Sequence, residues 1–225
     1  MKIGFLATSL LLFVSVAAQN GLTIVYSHVN EEVPDFIDVA SPARKKSASR
    51  LVCNDSMSYS YGMTGWKDPI KSNRDYGSRV LHHSAILDWR KQIIYGGSAL
   101  ASSPKKHFYL VDDLKKVDWI FEDSIKTILG FSCRKAFFTT NTWIQADTSF
   151  KPHVEMTSVW YAETIQLPFG PMQYYGLPGL VLEVYDQRYM GKHIRAVSIT
   201  NEPVSIQIPA HIKIMTREEF RKKGN

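Results

Sequence analysis

Apolar and polar positions alternate along most of this chain, and that alternation predicts strands. Leu22-Thr23-Ile24-Val25-Tyr26 reads as an opening strand. From Leu51 to Tyr61, Leu51, Cys53, Met57, Tyr59 and Tyr61 take one face and Val52, Asn54, Ser56, Ser58 and Ser60 the other, the period of a half-buried strand. Between them, Glu31 to Ser49 carries Pro34, Pro42 and the basic run Arg44-Lys45-Lys46 and reads as a linking excursion. Gly62 to Pro104 is broken by Gly65, Pro69, Gly77, Gly96 and Gly97, which leave strand-like pieces at 78–81 and 92–95. From Val117 the pattern is regular. Val117, Trp119 and Phe121 share a face, a turn follows near Asp123-Ser124, and Leu129, Phe131, Cys133 and Phe137 share the next face.

This pattern predicts strands at 117–121, 127–138, 142–146, 155–165, 180–186 and 193–200. Val204, Ile206 and Ile208, alternating with Ser205 and Gln207, predict one more. Thr216 and Glu219 have capping-box spacing and predict a short helix through Phe220 to Lys223. Short strands joined by turn residues, with no helical pattern between them, imply antiparallel pairing through hairpins. The expected fold is mainly β, a curved antiparallel sheet or partial barrel with hairpin connections and a short C-terminal helix.

The first residues change the picture of where the chain works. Lys2 precedes an apolar or small stretch from Ile3 to Val16, and Val16-Ala17-Ala18 places small residues before Gln19. These are the parts of a secretory signal peptide. We expect residues 1–18 to be that peptide and 19–225 a single domain, periplasmic or secreted. The apolar stretch is shorter than the roughly 20 residues that span a bilayer, and no later segment reaches that length, so no transmembrane segment is expected after cleavage.

The net charge of +6 includes Lys2, so the mature chain carries 6 − 1 = +5. That excess is scattered, and no basic face with a recognisable module points to nucleic acid. Cys53 and Cys133 are the only cysteines. In an oxidising compartment such a pair is a disulfide candidate, and buried free thiols are the other reading.

The run Gly176-Leu177-Pro178-Gly179-Leu180-Val181-Leu182-Glu183 is the most specific motif. Pro178-Gly179 predicts a type II turn with a positive φ at Gly179, feeding an apolar strand. With Val181 in place of isoleucine, this run resembles the signature of the GLPGLI (Porph_ging-type) family of bacterial envelope proteins. The resemblance extends through Trp160-Tyr161-Ala162-Glu163, Gly170-Pro171 and Tyr174-Tyr175, back to Gly130-Phe131-Ser132-Cys133-Arg134-Lys135-Ala136, and covers roughly residues 106–200. It implies an envelope address and brings no established reaction.

Leu167-Pro168-Phe169-Gly170-Pro171-Met172-Gln173-Tyr174-Tyr175 is a loop rich in large apolar side chains, which either covers the sheet or lines a cleft for an apolar partner. Candidate ligand contacts are Trp160, Tyr161, Phe169, Met172, Tyr174 and Tyr175, and the signature turn comprises Gly176, Leu177, Pro178, Gly179 and Leu180. No GxSxG elbow, HExxH pattern or phosphate loop is present, and no base lies close to Cys133 in sequence. His153, Glu155 and Met156 are metal candidates, with His82-His83, Met57 and Met63 as further donors, but the sequence groups them only in pairs. No cofactor is expected. The leading function is noncatalytic binding, or an accessory role in the envelope, with an apolar or peptide-like partner. A transition-metal-binding protein and an uncharacterised hydrolase are the alternatives.

Overall fold

The structure describes residues 20–29, 48–63, 84–100, 103–146, 149–187, 192–208, 210 and 212–224. The expected signal peptide, the expected excursion up to residue 47, the expected strand piece at 78–81 and His82-His83 lie outside them. In this computed structural model the strands are β1 (Asn20–Val29), β2 (Ala48–Cys53), β3 (Met57–Met63), β4 (Ser84–Asp88), β5 (Ile93–Leu100), β6 (Ser103–Asp113), β7 (Ile120–Ile128), β8 (Phe131–Ala146), β9 (Ser149–Ala162), β10 (Leu180–Asp186), β11 (Lys192–Pro203) and β12 (Lys213–Thr216). One helix, α1 (Arg217–Gly224), follows.

All twelve strands belong to one open sheet, in the order β12-β6-β5-β4-β3-β2-β1-β11-β10-β9-β8-β7. Two meanders, β1 to β6 and β7 to β11, are joined where β11 returns to lie beside β1. Every ladder is antiparallel except β12 with β6. The mainly β, hairpin-built reading therefore holds, and the capping box forms as the spacing predicts. Thr216 N–H donates to Glu219 Oε2 at 2.8 Å, and Glu219 N–H donates back to Thr216 Oγ1 at 3.2 Å.

Differences arise where a turn preserved the alternation. The single strand expected from Leu51 to Tyr61 is the hairpin β2–β3, because Asn54 Oδ1 accepts the N–H groups of Ser56 at 3.0 Å and Met57 at 2.8 Å and closes an Asx turn. The strand expected at 127–138 is cut at Leu129-Gly130, both with positive φ (50° and 83°), as a tight two-residue hairpin requires. The stretch 142–146 is instead the far end of β8, and 204–208 joins no ladder. Ile206 and Ile208 pack on a second apolar cluster around Ile86, Tyr95 and Tyr109. The turn expected near Asp123-Ser124 is a bulge in β7, between Glu122 and Ile125, which interrupts this edge strand where Phe121 and Ile125 are exposed.

The main core lies on the face carrying Ile24 and Tyr26 of β1, Leu51 and Cys53 of β2, Val159 and Tyr161 of β9, and Ile194 and Ala196 of β11. It is covered by the 163–179 loop, which buries Phe169, Tyr174, Tyr175 and Leu177, and by the crossover 114–119 through Leu114, Val117 and Trp119. Each of the loop's large side chains gains roughly 1.5 to 3 kcal/mol by leaving water. That gain is why a loop of this composition folds onto the sheet.

The start of β10 explains the loop's path. β11 pairs with β10 only from Glu183 onward, so the backbone of Leu180 and Val181 lacks a ladder on that side. Buried peptide groups need partners. Leu180 N–H donates to the Ile165 carbonyl at 3.0 Å, Val181 N–H to the Phe169 carbonyl at 2.9 Å, and the Tyr26 hydroxyl to the Val181 carbonyl at 2.7 Å.

The signature corner corrects the expected turn. Positive φ falls on Gly176 (85°), not on Gly179. Gly179 is glycine for space: a Cβ there would overlap the Ala162 carbonyl oxygen and lie 2.7 Å from the Ala162 carbonyl carbon and 2.9 Å from Glu163 Cα. All three are backbone atoms of the chain leaving β9, so none yields by rotating a side chain. At Gly176 a Cβ meets only Trp119 Nε1, at 4.0 Å. Gly179→Ala should therefore lose about 3 kcal/mol, the upper end of overpacking, whereas Gly176→Ala should lose about 1 kcal/mol from backbone strain alone. Urea unfolding of the two variants checks this, and equal or reversed losses would refute the close-approach account.

Candidate functional site

Three segments converge beside the signature corner. The β4–β5 turn supplies Trp89 and Gln92, the crossover supplies Leu114, Lys115, Lys116 and Val117, and the loop supplies Tyr175 and Gly176. Together they line a cleft of about 210 Å³. Its walls are pinned by backbone contacts. Leu114 N–H donates to the Gln92 carbonyl at 2.8 Å, the Tyr175 hydroxyl to the Lys115 carbonyl at 3.2 Å, and the Trp119 indole N–H to the Tyr175 carbonyl at 3.0 Å. Gln92 itself holds φ 57°, and its side-chain amide donates to the Trp89 carbonyl at 2.6 Å. The cleft is thus preformed, with an apolar wall of Trp89, Leu114, Val117 and Tyr175 and a cationic rim of Lys115 and Lys116.

Of the ligand contacts expected from sequence, only Tyr175 and the signature's Gly176 line this cleft. Phe169 and Tyr174 are core, the latter donating its hydroxyl to buried Asp186 at 2.5 Å. Tyr161 is core as well, and Trp160 lies on the opposite sheet face. Met172 is half-buried at φ 57°, its N–H donating to Ser60 Oγ at 2.7 Å. Within the signature, Leu177 and Leu180 are buried and Pro178 is exposed. Trp89, Leu114, Lys115 and Val117 escaped the sequence reading, because nothing local marks a wall assembled from three distant segments.

On the opposite face, the signature strand carries a second polar centre. Glu183 is buried, and Lys126 Nζ donates to both its oxygens at 2.7 and 2.8 Å. His193 Nε2 lies 3.1 Å from Oε1, and Arg195 Nε lies 3.3 Å from Oε2. The lysine crosses the Trp160 ring, its nitrogen 5.2 Å from the centroid. One carboxylate therefore ties β10 to β11 and to the edge strand β7. Glu183→Gln should lose about 3 kcal/mol, because it removes the buried carboxylate that Lys126, His193 and Arg195 all share. Lys126→Met should lose about 1 kcal/mol, since that ammonium is a third exposed and the carboxylate keeps its contacts with His193 and Arg195. Equal losses in chemical denaturation would refute the hub.

The disulfide candidate is corrected. Cys53 and Cys133 are both buried free thiols. In the ladders Lys135 faces Trp160, Trp160 faces Glu183, Glu183 faces Arg195, Arg195 faces Ser27 and Ser27 faces Ala48, so these residues share one sheet face. Cys133, two residues from Lys135, is on that face too. Cys53, five residues from Ala48, is on the other, and β1, β11, β10 and β9 stand between their strands. Burial pushes the Cys53 thiol from 9.0 up to about 12 and the Cys133 thiol up to about 11. A thiol held protonated by the fold stabilises fully below pH 9, and its contribution is lost as pH rises through the raised value. At pH 8 a thiol reagent should label neither cysteine in the native chain and both after unfolding without reductant. Absence of label on the unfolded chain would restore the disulfide.

His153 and Glu155 share one face of β9, while Met156 points to the other and its N–H donates to Gln187 Oε1 at 2.9 Å. The three do not converge. No group of three or more His, Cys, Asp or Glu side chains is placed to hold a metal among the described residues. Also among these residues, no helix is long and apolar enough to cross a membrane.

Two solved structures of PNGF-II, in space groups C2 and P21, resemble the fold, each with TM-score 0.58 and 14% sequence identity. The likeness covers 91% of this chain and 32% and 33% of PNGF-II, so the chain spans about a third of that protein. At this identity it shows the fold alone. No curated protein matches the chain. Residues 119–183, from the crossover's Trp119 through the loop to Glu183, match the model of the Porph_ging family, described as a protein of unknown function, a narrower span than the 106–200 resemblance.

Proposed function

We propose that this chain is a noncatalytic binding protein of the bacterial envelope, exported by cleavage after Ala18, and that it holds one apolar side chain of a polypeptide partner in the cleft beside Gly176. The observation that carries this reading is the cleft's construction. A preformed wall of Trp89, Leu114, Val117 and Tyr175 supplies apolar surface around a volume of about 210 Å³. Sites for cofactors and drug-sized molecules run to roughly 300 to 1,000 Å³. This one suits a single large side chain. Burying such a group contributes roughly 1.5 to 3 kcal/mol, so short peptides should bind weakly, with Kd of about 6 to 80 mM, and a full partner should add contacts outside the cleft.

Nuclear magnetic resonance titration tests the binding. Peptides with one Phe, Leu or Met among Gly and Ser should shift the Trp89 indole and Gly176 amide resonances, and the all-Gly/Ser peptide should not. Trp89→Ala should abolish the shifts, with its melting temperature recorded because Trp89 also packs edge-on against Phe169, 6.3 Å between ring centroids. No shift with peptide raised to about 50 mM, or shifts confined to another surface, would overturn the reading. Mass spectrometry of the mature chain should find Gln19 first, and an envelope protein that retains Met1 would overturn the export step.

A further inference from the structure

We propose that the residue docked in the cleft is the C-terminal residue of the partner chain, its side chain on the apolar wall and its free carboxylate on Lys115 and Lys116. This rests on the binding reading above and goes beyond it by naming the end of the polypeptide. Two observations combine. The first is charge: both ionisable side chains with fixed charge that line the cleft are lysines, and no Asp or Glu lines it. Among the described residues Lys115 makes no ion pair and Lys116 pairs with Asp118 alone, at 3.4 Å with both side chains 89% exposed, a contact readily exchanged for another anion. The Lys115 backbone is fixed by the Tyr175 hydroxyl, so the base of its side chain is held at the rim.

The second observation is size. The cleft takes about one residue, yet it offers an apolar wall and two cations together. Within a polypeptide, a residue carries either an apolar side chain or a carboxylate. Only a C-terminal apolar residue presents both, because its α-carboxylate is free. A chain end also leaves the cleft in one direction only, whereas an internal segment would have to leave in two past the same lysines. Carboxylate recognition by ammonium groups is a charge-assisted interaction, so it should be sensitive to salt.

Isothermal titration of three blocked peptides and one small acid tests this. The probes are acetyl-Gly-Ser-Phe with a free carboxylate, the same peptide as its amide, acetyl-Gly-Glu-Phe-Ser amide with an internal acid, and phenylacetate. The free acid should bind about tenfold tighter than the amide and the internal acid, with an advantage that shrinks as salt is raised. The double variant K115Q/K116Q, altered only at exposed side chains, should bring acid and amide to the same affinity at unchanged melting temperature. Equal binding of acid and amide overturns the terminal assignment while leaving the apolar-side-chain reading standing. Equal binding of the internal acid, or of phenylacetate, overturns it in favour of an acidic internal segment or a small carboxylic acid. Failure of all four probes overturns both this inference and the binding reading.

Discussion

The rest of this structure depends on how the first two residues of β10 find hydrogen-bond partners. At Leu180 and Val181 the strand is already buried, but β11 has not yet joined it. An unpaired amide there would cost about as much as a lost hydrogen bond, 1 to 3 kcal/mol each. The Ile165 and Phe169 carbonyls and the Tyr26 hydroxyl fill those positions. Because the donors and acceptors come from the loop and from β1, the loop must lie over the sheet along one path. Phe169, Tyr174 and Leu177 then bury themselves along it.

The signature follows from this constraint more directly than from chemistry. The chain leaves β9 at Ala162, loops out and returns to start β10 at Leu180, opposite the residue it left. Departing and returning backbones meet at Gly179, where no side chain fits. Gly176 provides the positive φ that turns the chain beforehand. Val181 and Leu182 fill the core, and Glu183 gathers Lys126, His193 and Arg195 on the opposite face. A hub of this kind adds little net free energy over a well-packed apolar residue. Its effect is positional, since a carboxylate bound by β7 and β11 holds the register of the strands between.

The alternation was enough to read the sheet, its hairpin connections and the boundaries of β10. It failed where the turn residues kept an even count between apolar positions. Cys53 and Met57 are four apart, so the pattern ran through the Asn54 turn unbroken, and Leu129 kept the phase through a turn in which it holds a left-handed backbone. The local composition Asn54-Asp55-Ser56 was the signal that outweighed periodicity. Val204 to Ile208 failed for another reason: alternating apolar residues also suit an unpaired segment laid across an apolar cluster. The parallel pairing of β12 with β6 had no local mark. The cysteine pair misled because both fall on apolar positions, and only the ladder phase across six strands separates their faces.

The candidate cleft lies at the other extreme of legibility. Its wall joins residues 89, 114–117 and 175–176, which come together because the crossover and the loop both need the same face of the sheet. Trp119 and Tyr175 lock those two covers to each other, and the Tyr175 hydroxyl locks the loop to Lys115. Two covering segments built on different parts of a sheet leave a seam wherever their side chains do not fill the gap. A seam held by backbone hydrogen bonds keeps its shape without an occupant, which lowers the conformational entropy lost on binding. The same glycine that turns the corner removes the side chain that would otherwise plug the seam. A structural signature and an open site can thus share residues: what must be small for the chain to turn is also what leaves room for a ligand.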